Sequence, residues 1–165
     1  MSSQILNTQK VKQKISRIAL EIIERTYSED KVVIVGIKNS GYELAQRICA
    51  ELKKFENKEY PCYSMQINKP SPLDAPIETD VLGDDVLNST LIIVDDVQNS
   101  GRTMAFAVKH FLQYQVKSIQ TCVLIDRRHN LFPVRADYVG LSLSTTLKEH
   151  VSVDTEDGNM SVSLS

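Results

Sequence analysis

At 165 residues the chain has the size of one domain and can bury well over half of the surface its unfolded form exposes. With 42% hydrophobic and 24% charged residues it has an ordinary globular composition, and no apolar run approaches the roughly 18 residues that a membrane span needs. A net charge of −2 gives no whole-protein pull toward nucleic acid, and Cys49, Cys62 and Cys122, odd in number and scattered, have neither disulfide-framework nor zinc-ligand spacing. The Met-Ser-Ser-Gln start lacks the order of a secretory signal, and with the free cysteines it predicts a cytoplasmic location.

From Asn7 to Tyr27 the apolar positions Val11, Ile15, Ile18, Ala19, Ile22 and Ile23 recur at helical spacing, with Asn7 or Thr8 as the cap. Lys31 to Gly36 (KVVIVG) is a short β-branched run, the composition of a strand covered on both faces. Gly41 to Lys54 returns to helical spacing, and Glu59 to Ile67 reads as a second strand. Asn68 to Asp85 carries Pro70, Pro72 and Pro76 and no sustained period, which predicts an irregular, mobile excursion. Thr90 to Asp95 is another buried-strand signature, Gly101 to Tyr114 the helix after it, and Ser118 to Asp126 a further strand. The chain then turns to short elements: a basic loop, Tyr138 to Leu143, and a terminal hairpin turning at Glu156-Asp157-Gly158-Asn159 that is placed to cap a site. Strand–helix alternation predicts an α/β, Rossmann-like parallel sheet flanked by helices, one domain over residues 1–165 with a small C-terminal hood. Ligands of such sheets gather at the carboxyl ends of the strands.

Leu91 to Thr103 (LIIVDDVQNSGRT) places a buried strand, two acids, a small-residue turn and a helix start in that order. The turn Gln98 to Thr103 aims consecutive backbone N–H groups at one point, Gly101 allows close approach, and the helix N-terminus adds positive potential, which together make a phosphate cradle. Ser100 and Thr103 offer hydroxyl donors, while ionised Asp95 and Asp96 are acceptors suited to a sugar diol. An isolated Asp-Asp pair at a strand end is most often a solvated turn, but the full ordered segment speaks against that reading. A Walker B strand also ends in acids, yet no GxxxxGK[ST] loop exists to partner it.

This segment resembles the phosphoribosyl pyrophosphate (PRPP) loop of the type I phosphoribosyltransferases: four apolar residues, two acids, then Thr/Ser-Gly-x-Thr. Through Ile15 to Arg25, Val33 to Gly41 and Leu124 to Gly140 the chain is similar, over most of its length, to the pyrimidine-operon attenuator and uracil phosphoribosyltransferase (PyrR) group. The resemblance implies transfer of phosphoribose to a base nitrogen with release of pyrophosphate, and magnesium carried by PRPP rather than by side chains. It assigns Asp95 and Asp96 to the ribose hydroxyls; Val97, Gln98, Asn99, Ser100, Gly101, Arg102 and Thr103 to the 5-phosphate; and Ile37, Lys38, Asn39 and Ser40 to the pyrophosphate, in a loop that often carries a strained peptide bond. Lys69 falls in the catalytic flap near Asn68 to Glu78, and Asp126, Arg127, Tyr138 and Val139 fall at the base pocket.

Four departures qualify the likeness. Lys38 and Ser40 stand where the group has two arginines, so pyrophosphate is held by one positive charge fewer and without a planar fork. The flap offers only Lys69 as a cation. Arg128 replaces a glycine after Asp126-Arg127, where a side chain is expected to change the loop, and Leu141 replaces a lysine. Arg135 and Asp137 are candidates for a mutual ion pair as much as for ligand contact, and His110 and His150 read as a helix-surface and a tail residue. Two functional classes follow: a magnesium-dependent transferase acting on a uracil-like or other pyrimidine base, or a catalytically weak PRPP- or nucleotide-sensing regulator, with RNA a candidate partner through Lys10, Lys12, Lys14 and Arg17. The resemblance also implies a homo-oligomer, dimer or tetramer, with the first helix at the interface.

Overall fold

The run Leu91-Ile92-Ile93-Val94 has no polar face to offer water, and in the computed structural model, which describes residues 2–165, all four side chains are fully buried at the centre of a sheet. In chain order the elements are β1 (Ser3–Leu6), α1 (Thr8–Arg25), β2 (Val32–Ile37), α2 (Ser40–Glu56), β3 (Cys62–Gln66), β4 (Glu78–Thr79), α3 (Gly83–Val86), β5 (Thr90–Gln98), α4 (Arg102–Phe111), β6 (Ser118–Asp126), β7 (Tyr138–Ser142), β8 (Val151–Glu156) and β9 (Asn159–Leu164). The main sheet runs β4-β3-β2-β5-β6-β7, parallel except for β4, which lies antiparallel to β3 at the edge.

Alternation along the central strands builds two cores, one on each face of the sheet. Val32 and Ile34 of β2 join Ile92 and Val94 of β5 beneath α1 and α2, which contribute Ile15, Ile18, Leu44 and Ile48. Val33, Val35 and Ile37 join Leu91 and Ile93 on the other face against Met104, Ala107 and Phe111 of α4. Each fully buried aliphatic side chain contributes about 1.5–3 kcal/mol of transfer free energy. Helix α1 begins where Asn7 accepts a hydrogen bond from the Lys10 N–H at 2.9 Å, the cap expected from the sequence.

Two expectations need correction. The hood is not built from the C-terminal hairpin alone: β8 and β9 turn as expected, but β1 pairs with β9 and completes a three-stranded antiparallel sheet in the order β1-β9-β8. Four residues are too few to show a period, so β1 was not visible in the pattern. The excursion from Asn68 to Asp85 is irregular only as far as Ile77; β4 then fastens it, with Ser64 N–H donating to Asp80 at 2.7 Å and the Thr79 hydroxyl donating to Ser64 C=O at 2.7 Å, and α3 follows. No described helix is long and apolar enough to cross a membrane.

Candidate functional site

At the carboxyl end of the sheet β5 delivers Asp95 and Asp96, the chain turns through Asn99 and Ser100, and α4 starts at Arg102. Gly101 sits at φ +85°, and a Cβ built there would come no closer than 3.5 Å to a neighbour, so backbone conformation rather than space demands glycine. Gly41, at the start of α2, has the opposite reason: a Cβ would lie 2.9 Å from Asp95 Cα and 3.0 Å from its carboxylate. The turn is held from behind. Ser100 C=O accepts from the Leu131 and Phe132 N–H groups at 2.8 and 3.1 Å, and the Gln98 side-chain amide donates to Val134 C=O at 2.9 Å. A turn braced in this way need not be ordered by a ligand.

The two acids differ. Asp95 is 3% exposed, and burial pushes its carboxyl up to about 7 against the opposing pull of Lys69, with Asp96 adding to the rise. Lys69 lies across both: its ammonium is 2.9 and 3.2 Å from the two Asp95 oxygens and 3.5 Å from Asp96 Oδ1. Burial works against the ammonium, but the two carboxylates outweigh it and hold Lys69 above the ordinary lysine range. The raised Asp95 value means that desolvation of the carboxylate is the larger effect at the pair. Lys69 is in turn anchored by Arg102, whose guanidinium donates to the Lys69 and Pro70 carbonyls at 3.0 and 3.1 Å, a link between flap and phosphate turn that no sequence signal announced.

The acids, the whole turn and Lys69 line one cavity of about 510 Å³. Its floor includes Val123 of β6, and its far wall is the hood segment His150 to Val153, so His150, read from sequence as a tail residue, borders the site. A second cavity of about 470 Å³ adjoins it, lined by Lys38 and Asn39 on one side and by the flap on the other. The Lys38–Asn39 peptide bond there is cis. Ile37 is fully buried, so its side chain is core, and Ser40 is half-buried at the start of α2.

None of the four residues expected at the base, Asp126, Arg127, Tyr138 and Val139, lines the cavity that holds the acids. Tyr138 is 1% exposed, donates its hydroxyl to Gln120 at 2.6 Å and carries the Arg25 guanidinium over its ring at 5.2 Å; strand alternation on β7 turns it toward α1, away from the cavity. Val139 packs into the core on the α4 side. Asp126 accepts from the Arg128 N–H at 2.9 Å, and Arg127, 7% exposed, reaches past the cavity to Asn99 and to the loop before β8. Asp137 pairs with Arg25 at 3.7 Å rather than with Arg135. Leu141 is half-buried against the α1–α2 core.

Arg128 takes a left-handed conformation, at φ +58°, which costs a residue with a side chain more than it would cost glycine. Arg128→Gly is expected to raise the unfolding free energy by about 1 kcal/mol or less, read as a higher urea midpoint at unchanged slope. A lower midpoint would show that the arginine side chain is itself stabilising.

A braced turn at the end of a central parallel strand, two acids beside it and a hood above make an α/β protein with a polar cavity at the carboxyl edge of its sheet. Residues 1–157 match the family described as the phosphoribosyl transferase domain, and the chain belongs to that family. It is 37% identical to the bifunctional protein PyrR of Ligilactobacillus salivarius, over 99% of this chain and 98% of that protein. It is 34% identical to the bifunctional protein PyrR of Limosilactobacillus reuteri, with the same coverage. Among solved structures, the hypoxanthine phosphoribosyltransferase of Trypanosoma cruzi superposes with a TM-score of 0.78 at 16% identity, covering 97% of this chain and 95% of that one. A hypoxanthine-guanine phosphoribosyltransferase of Bacillus anthracis gives 0.71 at 19% identity, covering 87% and 84%. These structures share the fold, the type I phosphoribosyltransferase sheet with its hood.

Proposed function

We propose that the chain transfers the phosphoribosyl group of PRPP to a ring nitrogen of a uracil-like pyrimidine and releases pyrophosphate. The observation that carries this is the placement of both acids and the whole phosphate turn on one cavity. Backbone N–H groups from Val97 to Thr103 with the Ser100 and Thr103 hydroxyls take the 5-phosphate, and Asp95 and Asp96 accept from the ribose diol. Held at both ends, the ribose is oriented for loss of the pyrophosphate, and the carboxylates face the side where positive charge develops. Lys38, Asn39 and the flap receive the leaving group, and the hood keeps water from the reacting carbon. Magnesium would enter as a companion of PRPP, whose phosphate and hydroxyl oxygens are the ligands a hard cation takes, and Asp95 and Asp96 are left to the ribose diol. When bound, it neutralises the departing pyrophosphate. The uracil-like acceptor draws on the PyrR relatives.

Incubation with magnesium, PRPP and a panel of pyrimidine and purine bases, with pyrophosphate and nucleotide measured, tests the proposal. Equal formation of pyrophosphate and uridine monophosphate is expected with uracil. No product with any base would overturn the transferase assignment.

A second reading, a PRPP- or nucleotide-sensing regulator that contacts RNA, is favoured by the Lys69 bridge that occupies the acids and by exposed Lys10 and Lys12 on α1. Arg17 adds less than its charge suggests, because its guanidinium is bound to the Val139 and Gly140 carbonyls at 3.0 and 2.7 Å. A nucleotide-dependent RNA shift that weakens steeply with salt distinguishes this reading. Self-association through α1, where Leu20 is half exposed, belongs to the same family-based proposal, as does a cytoplasmic location.

A further inference from the structure

The Lys69 ammonium sits where the sugar belongs. Its contacts at 2.9, 3.2 and 3.5 Å take up both oxygens of Asp95 and Oδ1 of Asp96, acceptors that a ribose diol would use. A ribose diol therefore competes with the lysine for the acids. The backbone beneath it is not free to follow: Pro70 restricts Lys69 to extended conformations, and Arg102 grips both the Lys69 and the Pro70 carbonyls. What remains mobile is the four-carbon side chain.

That side chain has a second destination. Lys69 and Pro70 border both cavities, the one that holds the acids and the one lined by Lys38 and Asn39. The second cavity has Lys38, Lys69 and Glu78 as its charged lining residues, and its loop carries Ser40 where a further cation would complete a pyrophosphate grip.

We propose that Lys69 is a switching cation: it fills the ribose subsite in the free protein and, when the ribose diol claims Asp95 and Asp96, swings into the neighbouring cavity to bind the pyrophosphate, with Arg102 as the positioning residue that fixes its pivot. This rests on the phosphoribosyl reading of the site. The switch favours a ligand that carries both groups. PRPP displaces the lysine and gives it a new anionic partner, whereas ribose 5-phosphate displaces it and offers none.

Titration calorimetry at pH 8 with magnesium, using PRPP and ribose 5-phosphate against wild type, Lys69→Met and Lys69→Gln, tests the inference. Removal of the ammonium is expected to act in opposite directions. Ribose 5-phosphate binds several-fold more tightly because its competitor is gone, and PRPP binds about tenfold more weakly through loss of one charge-assisted hydrogen bond. Lys69→Arg keeps the charge and is expected to restore the preference for PRPP. Equal weakening of both ligands would make Lys69 a fixed ligand of the ribose phosphate, no change in either would make it a bystander, and both results overturn the switch. Failure of PRPP to bind the wild type, together with failure of ribose 5-phosphate to bind the Lys69 variants, would overturn the underlying reading of the site as well, which separates the two failures. Binding of ribose 5-phosphate to the variants reports in the same titration that they are folded.

Discussion

Asp95→Asn is expected to remove ribose 5-phosphate binding and, at pH 8, to make the free protein harder to unfold. The binding loss follows from acceptor chemistry. An ionised carboxylate takes both hydroxyls of a diol in charge-assisted hydrogen bonds, and an amide offers one weaker acceptor and an unwanted donor, a loss of roughly 10²–10³-fold. The stability gain follows from burial. The Asp95 carboxyl is pushed up to about 7, so between pH 4 and 7 the folded protein keeps a proton that the unfolded chain has already released. Stability therefore falls as pH rises through that window, and above it the folded state carries the full cost of a buried charge, on the order of a few kcal/mol. Asparagine carries none of it. Thermal melts of both proteins from pH 5 to 8.5 should converge at the acid end, where wild-type Asp95 is neutral, and separate with the variant higher at the alkaline end. A variant that melts lower at pH 8 would show that the Lys69 bridge outweighs desolvation. The same ionisation predicts that ribose 5-phosphate affinity in the wild type increases as pH passes 7.

Arg127→Met is expected to cost both stability and PRPP affinity although Arg127 does not line the cavity. Its guanidinium is nearly buried and makes four hydrogen bonds: to the Thr145 hydroxyl at 3.0 Å, to the Asn99 side chain at 2.8 Å, and to the Thr146 and Glu149 carbonyls at 3.0 and 2.6 Å. It thus ties the phosphate turn to the loop that carries the hood. Methionine matches its length but leaves those acceptors without partners, a loss of about 3 kcal/mol in unfolding free energy. Freed from its brace, Asn99 no longer fixes the turn, and PRPP affinity is expected to fall by at least about tenfold. Arg127→Lys should rescue little, because a single ammonium cannot reach acceptors arranged around a planar fork. A double-mutant cycle with Asn99→Ala measured on PRPP affinity should return a coupling above about 1 kcal/mol. Additive effects would confine Arg127 to general stability.

The turn between β5 and α4 was legible because its parts are contiguous: Leu91 to Thr103 carries strand, acids, turn and helix start in one run, and local chemistry dictates each. The sheet was legible for the related reason that β2 and β5 are short runs with no polar face. Legibility failed where placement depends on distant packing. Tyr138 opens a strand whose facing is set by α1, and Arg127 binds partners more than fifteen residues away, so neither position could be assigned from neighbours in sequence. The wall formed by His150 to Val153 depends on how the hood sheet docks, and that sheet includes a strand from the other end of the chain.

That strand has a consequence for how the molecule is made. Ser3 lies opposite Leu164, so β1 must wait for a strand made far later in the chain before it finds its partner. The parallel sheet and the phosphate turn can assemble while β1 is still loose, and the cover over the cavity arrives last. Non-local pairing of this kind slows folding, because the chain loses entropy before the contacts compensate. Activity should therefore appear late in refolding, behind the recovery of helical signal, and a fusion partner attached beside β1 or β9 should delay it further.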